Sequence, residues 1–476
     1  MMRKFLSRYR PRYIRSLVYM LQASEYDIGE YLRWRRRATD MRHIERRKTL
    51  VRTPKALVLL AAGRGILLIL IVSGIVFLLR DPSVLRFVAV VIWIFAIPYM
   101  LAYLMIIPVW VIRLAQKPIE YALVSRAKKK LRNHTAFKIA IAGSFGKTSM
   151  REILKTVLAE GKKVAAPPHS HNTPVAIANF IGGLKRDEDV LIFEIGEYYP
   201  GDVRKLCDVI RPDLGIITGV NEAHLQKFKT LERTTRTIFE LSDFLGAKPI
   251  YVNGENEIAR LRALPEHIVY TREGAGKKKI RQPHTDLEGT TFVLSGNGED
   301  LHITSSLLGL HHIGALAAAA DIAERLGLSA DAIERGLDNT KAFDYRLEPN
   351  VDSAGVITLD DCYNGNPDGV RAVIAFLGGL KNHRRFYVTP GLVEMGSRTQ
   401  EVHEEIGRTL ASAGIEHIIL IKNSVTPFID KGLKEAGYKG ETLWFDDGLT
   451  ALGALPHLTI AGDVVLLQND WPDQYA

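Results

Sequence analysis

The stretch Gly143-Ser144-Phe145-Gly146-Lys147-Thr148-Ser149 holds the residue types best suited to chemistry. The apolar run Phe137-Lys138-Ile139-Ala140-Ile141-Ala142 before it reads as a buried strand, and the run from Thr148 to about Glu160 as a helix. A glycine-rich turn between strand and helix aims backbone N–H groups at an anion. A lysine at its end, here Lys147 in a preformed, surface-facing loop, reaches the outer phosphates of a nucleotide, and the Thr148 hydroxyl holds magnesium. The motif is short, because Ile141 stands where the full P-loop pattern has its first glycine. An ordinary strand-turn-helix junction is therefore the alternative that residues downstream must decide. Val190-Leu191-Ile192-Phe193-Glu194 reads as a buried strand ending in a carboxylate, and Leu214-Gly215-Ile216-Ile217-Thr218 as another, followed by Asn221-Glu222-Ala223-His224. Ligands of open α/β sheets bind beyond the carboxyl ends of the strands. Thr148 is thus expected to hold one magnesium, and Glu194 and His224 a second metal or its waters. The carboxylate is the usual partner of so hard a cation and the histidine the less usual one.

The elements that must position these residues alternate. Strand and helix patterns follow one another after Lys138, with a further strand at 248–253, which predicts an α/β domain with a mainly parallel sheet. The 476 residues leave room for two or three domains besides any membrane part. Charge is unevenly spread: residues 1–138 carry 27 Lys/Arg against 7 Asp/Glu, a net of +20, and the rest 36 against 46, a net of −10. An even basic surface would point to nucleic acid. A basic block beside apolar segments points to anionic lipid headgroups, so a bilayer is the expected partner and nucleic acid is not. Two cysteines, Cys207 and Cys362, fit a reducing compartment.

Residues 56–79 are apolar apart from Arg64, and residues 87–112 carry no charge. Each run is long enough to span about 30 Å of hydrocarbon. The turn between them is short, so the spans form a hairpin with both flanks on one side. Those flanks are basic, with Arg46, Arg47, Lys48, Arg52 and Lys55 before, and Arg113, Lys117, Arg126 and Lys128 to Lys130 after. The positive-inside rule assigns that side to the cytoplasm, where ATP is found. Buried core helices and a re-entrant hairpin are the other readings. Arg64 must snorkel or pair, and Pro98 and Pro108 are candidate kinks. The run begins too late for a cleavable signal. The aromatic and basic stretch 13–52 is expected to form helices lying on the membrane surface or a solvated helical hairpin. Lys277-Lys278-Lys279 reads as a solvated loop, and His403 as a surface histidine.

At these residues the chain resembles the Mur ligase family over about 136–465, and most of all its branch that adds D-alanyl-D-alanine to a peptidoglycan precursor. Gly143 to Thr148 matches the family's phosphate loop, and the segment 167–174, with Asn172-Thr173, its substrate loop. Glu194-Ile195-Gly196 with Pro200-Gly201-Asp202 is similar to its Glu-Leu-Gly…Pro-Gly-Glu stretch. Arg211-Pro212-Asp213…Glu222-Ala223-His224-Leu225 resembles its Arg-Pro-Asp…Glu-Ala-His-Leu signature, and Asp360-Asp361-Cys362-Tyr363-Asn364-Gly365-Asn366-Pro367 its Asp-Asp-Ser-Tyr-Asn-Ala-Asn-Pro signature. Tyr345-Arg346-Leu347-Glu348 and the region from Gly391 to His403 follow it more loosely.

The resemblance implies ATP and Mg²⁺ as cofactors and an acyl-phosphate route to an amide bond. A carboxylate acceptor and a small-molecule amine, an amino acid or dipeptide, are the implied substrates. It also implies catalytic roles for Lys147, Glu194, His224 and Arg346, the last at the γ-phosphate. Asp361 would meet the ribose hydroxyls, with Asn364 beside it. The nucleotide set is then Gly143, Ser144, Phe145, Gly146, Lys147, Thr148, Ser149, Arg346, Asp361 and Asn364. Departures are as telling. Ile238 stands where the family has a carbamate-bearing lysine, and Gly309-Leu310-His311-His312-Ile313-Gly314-Ala315 replaces an adenine-contacting motif. The C-terminal tail differs, and the family's uridine-binding domain gives way to the apolar hairpin. The expected order is a basic juxtamembrane segment (1–55), a transmembrane hairpin (56–112), a basic linker (113–135), an ATP-binding central domain (136–344) and a Rossmann-like C-terminal domain (345–476). The expected function is a membrane-anchored, ATP-dependent ligase of envelope biosynthesis. The alternatives are a ligase or kinase for another lipid-carried or polymeric acid, and a scaffold that binds nucleotide without catalysis.

Overall fold

The computed structural model describes every residue except 1–6, 39, 46–48, 81–82, 169–170, 223–227, 297–299, 343–345, 363–364 and 470–476. The chain divides into two compact units, one ending at Ala122 and the other starting at Leu123.

In the first unit, α1 (Tyr13–Ala23) and α2 (Ile28–Arg37) make a short helical hairpin. Asp27 caps α2 by accepting from Glu30 N at 2.7 Å. Helices α3 (Pro54–Leu79) and α4 (Val84–Leu104) follow, with Thr53 and Ser83 as their N-caps and Pro54 opening α3. The two helices lie together where Gly74 leaves room for the Trp93 indole, whose Nε1 donates to Leu70 O at 2.8 Å. Two stretches of helix, Pro54–Leu79 and Val84–Arg132, are long and apolar enough to cross a membrane. Their apolar side chains remain largely uncovered, as at Leu68 (62% exposed) and Ile92 (63%).

The 13–52 stretch is not a solvated hairpin. Leu17, Val18, Tyr31 and Trp34 are buried in one cluster with Leu59 of α3, Leu101 of α4 and Met105 just after it. The basic segment after 112 is helical through Arg132. Helix α5 (Ile106–Arg132) begins after a break at Met105 and runs through this segment, with Pro118 inside the helix. Falling hydropathy ended the predicted span, but Ala, Leu, Lys, Arg and Glu are good helix formers and carry the helix on.

The second unit opens with β1 (Phe137–Ala142), α6 (Lys147–Ala159), β2 (Val164–Ala165), α7 (Pro174–Gly183) and β3 (Val190–Glu194). Next come α8 (Asp202–Ile210), β4 (Leu214–Ile217), α9 (Leu231–Leu245), β5 (Ile250–Asn253), α10 (Glu257–Arg262) and β6 (Ile268–Thr271). Four more strands, β7 (Gly274–Ala275), β8 (Lys278–Asp286), β9 (Gly289–Ser295) and β10 (Leu301–Ser305), lead to α11 (Ile313–Arg325) and α12 (Ala330–Asp338). These strands form one ten-stranded sheet in the order β10-β9-β8-β7-β6-β5-β4-β1-β3-β2. It is parallel from β2 to β6 and antiparallel from β6 to β10. The first half is the parallel sheet read from the sequence; the antiparallel extension is additional. Lys277-Lys278-Lys279 therefore leads into a strand rather than lying in a solvated loop. Lys278 is buried and paired with Glu324 at 3.1 Å. Helices α6, α11 and α12 cover one face, and α7, α8 and α9 the other, joined there by Ala127 and Leu131 of α5.

The chain then builds β11 (Glu348–Val351), β12 (Ile357–Asp361), α13 (Pro367–Gly379), β13 (Arg385–Thr389), α14 (Thr399–Ala413) and β14 (His417–Ile421). It ends with α15 (Thr426–Glu435), β15 (Glu441–Phe445), α16 (Gly448–Leu458) and β16 (Val464–Gln468). This second sheet has the order β11-β12-β16-β13-β14-β15 and is parallel except for β11. It is the Rossmann-like arrangement expected, with its own core.

Candidate nucleotide site

The loop between β1 and α6 is shaped for close approach. Gly143 has φ +149°, and a Cβ there would fall 2.2 Å from Thr218 Oγ1. Gly146, at φ +74°, occupies the N-cap position of α6. It has no side chain to cap the first-turn N–H groups, so the positive end of the helix stays open to an anion. The loop is fixed from behind by Ser144 N donating to Gly219 O at 2.9 Å, by Asn221 N donating to Ser144 Oγ at 3.3 Å, and by the Thr218 hydroxyl donating to Phe145 O. These contacts favour a phosphate cradle over a plain junction.

Two cations and two carboxylates sit inside it. Thr148 Oγ1 donates to Glu194 Oε2 at 3.1 Å, and Arg151 Nη1 lies 2.7 Å from Glu194 Oε1. Glu194 is 2% exposed. Burial raises its carboxyl above the ordinary range, and Arg151 and Lys147 pull the other way. Lys147 is not a surface-facing charge. Its Nζ donates to Gly143 O and to both oxygens of Glu197, at 2.8 and 3.0 Å, and Glu197 is 3% exposed. Sequence reasoning missed Glu197 and Arg151. A signal for Glu197 existed, because it follows Glu194 by three residues just beyond a strand end. For Arg151 the helical spacing from Lys147 was the only hint.

The parts that fit Mg-ATP are a glycine cradle, Lys147 for the outer phosphates, and Thr148 beside Glu194 as oxygen ligands. His224 and Asn364 lie outside the described residues. Ile238 is fully buried in the core beneath the sheet, and nearby Glu240 accepts from Gly201 N (2.9 Å) and Arg204 N (3.0 Å) at the start of α8.

Arg346 and Asp361 form a second group. Asp361 ends β12 and accepts from Gln468 Nε2 at 2.5 Å, at the end of neighbouring β16. Burial pushes its carboxyl up to about 6, opposed by Arg346 and by the Gln468 bond. Arg346 also lies near His312, which burial and this positive charge push down to about 4. His312 and His311 form a tilted pair with ring centroids 4.0 Å apart in the turn before α11. The two domains meet where the Asn221 side chain donates to Asn366 Oδ1 and Asp368 Oδ2, both at 2.9 Å, and where Arg398 pairs with Glu222. His403 is not on the surface. It is fully buried, with Nδ1 against Thr399 O at 2.5 Å and Nε2 accepting from Leu392 N at 2.9 Å, so it holds the Gly391 turn to α14.

Comparison with known proteins places these parts. Residues 141–323 match the Mur ligase middle domain, and residues 345–468 the Mur ligase, glutamate ligase domain. The UDP-N-acetylmuramoyl-tripeptide–D-alanyl-D-alanine ligase of Escherichia coli is 25% identical over 297 residues, which are 60% of this chain and 64% of that protein. The enzyme of that name from Mycobacterium tuberculosis is 26% identical over 60% of this chain, and 58% of its own length is covered. The chain thus spans about three fifths of these curated relatives. Two solved structures share the fold, each with a TM-score of 0.65. MurF from Acinetobacter baumannii is 21% identical, covering 74% of this chain and 77% of that one. MurF ligase from Thermotoga maritima in complex with ADP is 23% identical, covering 74% and 80%.

Proposed function

This chain belongs to the Mur ligase family, and from that premise we propose that it is a membrane-anchored, ATP-dependent ligase joining a carboxylate to an amine in cell-wall precursor or related envelope synthesis. The observation that carries the reading is the cradle itself: Gly143, Gly146 and Lys147 at the head of α6, with Thr148 against Glu194 on the next strand. In the reaction proposed, a carboxylate oxygen of the acceptor takes the γ-phosphoryl group, giving an acyl phosphate and ADP. The amine nitrogen then attacks the acyl carbon, and inorganic phosphate leaves.

Such a transfer asks the protein for positioning and charge neutralisation more than for covalent help. Lys147 would leave Glu197 to meet the β- and γ-phosphates. Thr148 and Glu194 would hold magnesium, with His224 as a further candidate. When bound, the metal supplies charge for the phosphate oxygens. Arg346 would add positive charge from the second domain, and Asp361 would accept hydrogen bonds from ribose hydroxyls, with Asn364 proposed beside it. Because the two groups come from different domains, their approach completes the site. The first unit supports the anchor through its exposed apolar helices and basic flanks. An anchor raises the effective concentration of a lipid-carried acid near the site.

The test is ADP release by the detergent-solubilised protein with Mg-ATP, a panel of soluble and lipid-linked cell-wall precursors, and a panel of amino acids and dipeptides. Release that needs both an acid and an amine supports the ligase. Nucleotide binding without release under any combination favours the non-catalytic scaffold, a reading to which Ile238 in place of a lysine lends weight. Equal use of soluble and lipid-linked acid in vesicles would leave the anchor without a substrate role.

A further inference from the structure

The first unit holds a cavity that the ligase chemistry leaves unused. A space of about 480 Å³ opens between the short turn Ser7–Tyr9, the start of α1, and the turn Met41–His43 with Ile44 and Glu45. Its wall is an unspent anion receptor. Arg10 and Arg12 line it, both exposed and without a carboxylate partner among the described residues. The other charged side chains there are compensated: Arg42 pairs with Asp40 at 2.5 Å and Glu45 with Arg15 at 3.1 Å. Tyr13 and Ser16, from the first turn of α1, also line the space, and Arg12 in the N-cap position provides no side-chain cap. The positive end of α1 therefore adds to the two guanidinium groups. Ser16 is only 6% exposed, and its hydroxyl has no hydrogen-bond partner among the described residues. Two free guanidinium groups, an uncapped helix start and a waiting hydroxyl together suit a phosphate, which takes several charge-assisted bonds at once.

The cavity's neighbours indicate which phosphate. Tyr9, from the same short turn, donates its hydroxyl to Phe95 O at 2.9 Å, and Tyr13 donates to Pro98 O at 2.8 Å; both acceptors are on α4. Helix α4 presents an apolar face there, with Phe95 52% exposed and Ile92 63%. A phosphate held by Arg10 and Arg12 would thus sit beside a surface that suits acyl or prenyl chains. We infer that the cavity binds the phosphate of a lipid headgroup, the lipid tail lying along α4. This rests on the membrane reading given above. It goes beyond the diffuse attraction of a basic segment for anionic lipid by naming a receptor with defined walls.

The experiment uses the full chain in detergent, with labelled phosphatidic acid as the probe and phosphatidylcholine as the neutral comparison. Arg10→Gln with Arg12→Gln should lower retention of the probe about tenfold, and Ser16→Leu, which fills the space, should do the same. Arg33→Gln with Arg36→Gln removes equal charge from exposed positions on α2 and should change retention less than about twofold. Equal losses in the two arginine pairs would reduce the effect to diffuse electrostatics and overturn the inference. Displacement of the lipid by glycerol phosphate at matching affinity would assign the cavity to a soluble phosphate and overturn the lipid identity. Alkaline carbonate extraction separates this idea from the anchor. Wild type that extracts from membranes sinks the anchor, whereas wild type that resists extraction yet holds phosphatidic acid no better than phosphatidylcholine sinks only the receptor.

Discussion

Glu194 and Asp361 are both buried carboxylates at the carboxyl ends of parallel strands, but their surroundings differ. Glu194 has Arg151 at 2.7 Å and the Thr148 hydroxyl at 3.1 Å, with Lys147 close enough to add a third favourable influence. All of these come from one helix beside its own strand. Asp361 has the Gln468 carboxamide at 2.5 Å, a hydrogen bond from the Leu347 backbone and the more distant field of Arg346, and burial still pushes its carboxyl up to about 6. Even with those partners, burial leaves the Glu194 carboxyl above its ordinary range. The close donors to Asp361 are neutral, whereas Glu194 has a guanidinium at 2.7 Å. On the proposed reading, Glu194 belongs to the phosphate end of a site built from two domains and Asp361 to its sugar end.

The largest test of this contrast is loss of the lysine. Lys147→Ala should cut turnover about 10³-fold, since it removes charge that matters most in the transition state. Because the change also strands buried Glu197, the cleaner variant pairs it with Glu197→Gln. ATP consumption at the parent rate by that double variant would end the assignment of the phosphate end. Next in size is Glu194→Gln, expected to lower turnover about 10²-fold and to shift the magnesium titration to higher concentration. It also removes one of the two carboxylates that buried Arg151 pairs with, Glu152 being the other, so a fall in thermal stability should accompany it. An unchanged magnesium dependence would make Glu194 purely structural.

A smaller effect sharpens the comparison within the phosphate end. Glu197 pairs with Lys147 at 2.8 Å and, on the proposed reading, would compete with phosphate for it. Removing its charge with Glu197→Gln should tighten metal-free ATP binding by about tenfold, as one close opposing charge is lost. Calorimetry with a chelator present measures this, and weaker binding would mean that Glu197 organises the loop rather than competing for it. The last effect belongs to the sugar end. A carboxyl raised from 3.8 to about 6 in the folded state binds its proton more tightly there than in the unfolded chain. The folded protein is therefore favoured below the unfolded value and loses that advantage as pH rises through about 6. Against Asp361→Asn, the wild type should lose on the order of 1–3 kcal/mol between these limits. Parallel pH–stability curves for the two proteins would show that Asp361 is well compensated after all.

What the sequence made legible is what local pattern encodes. The strand-turn-helix around Gly143, the strand ending at Glu194 and the two apolar helices each follow from periodicity or hydropathy within some twenty residues. The Lys147–Glu197 pair spans fifty positions, and nothing local says that these two side chains meet. Strand β8 was hidden because its exposed residues, Lys279, Arg281, Gln282, Pro283 and His284, read as loop. The first helical hairpin was legible, but its burial was not, since the aromatic residues Tyr31 and Trp34 needed α3 and α4 to cover them. His403 looked exposed because one buried imidazole within a polar helix leaves no pattern.

The contacts made by Asn221 and Glu222 have a kinetic side. One carboxamide donates at 2.9 Å to both Asn366 and Asp368 across the domain boundary, and the Arg398–Glu222 ion pair lies beside it. Bonds of this kind are worth about 0.5–1.5 kcal/mol each once water competes for the same groups. Breaking the set together would slow opening by about one to three powers of ten, because each 1.4 kcal/mol is tenfold in rate. Domain motions begin in the microsecond to millisecond range, so a delay of that size carries opening toward the pace of an ordinary catalytic cycle. On the proposed ligase reading, these two hydrogen bonds and one ion pair would act as a clock: strong enough to keep the site shut while bonds change, and weak enough to let product go.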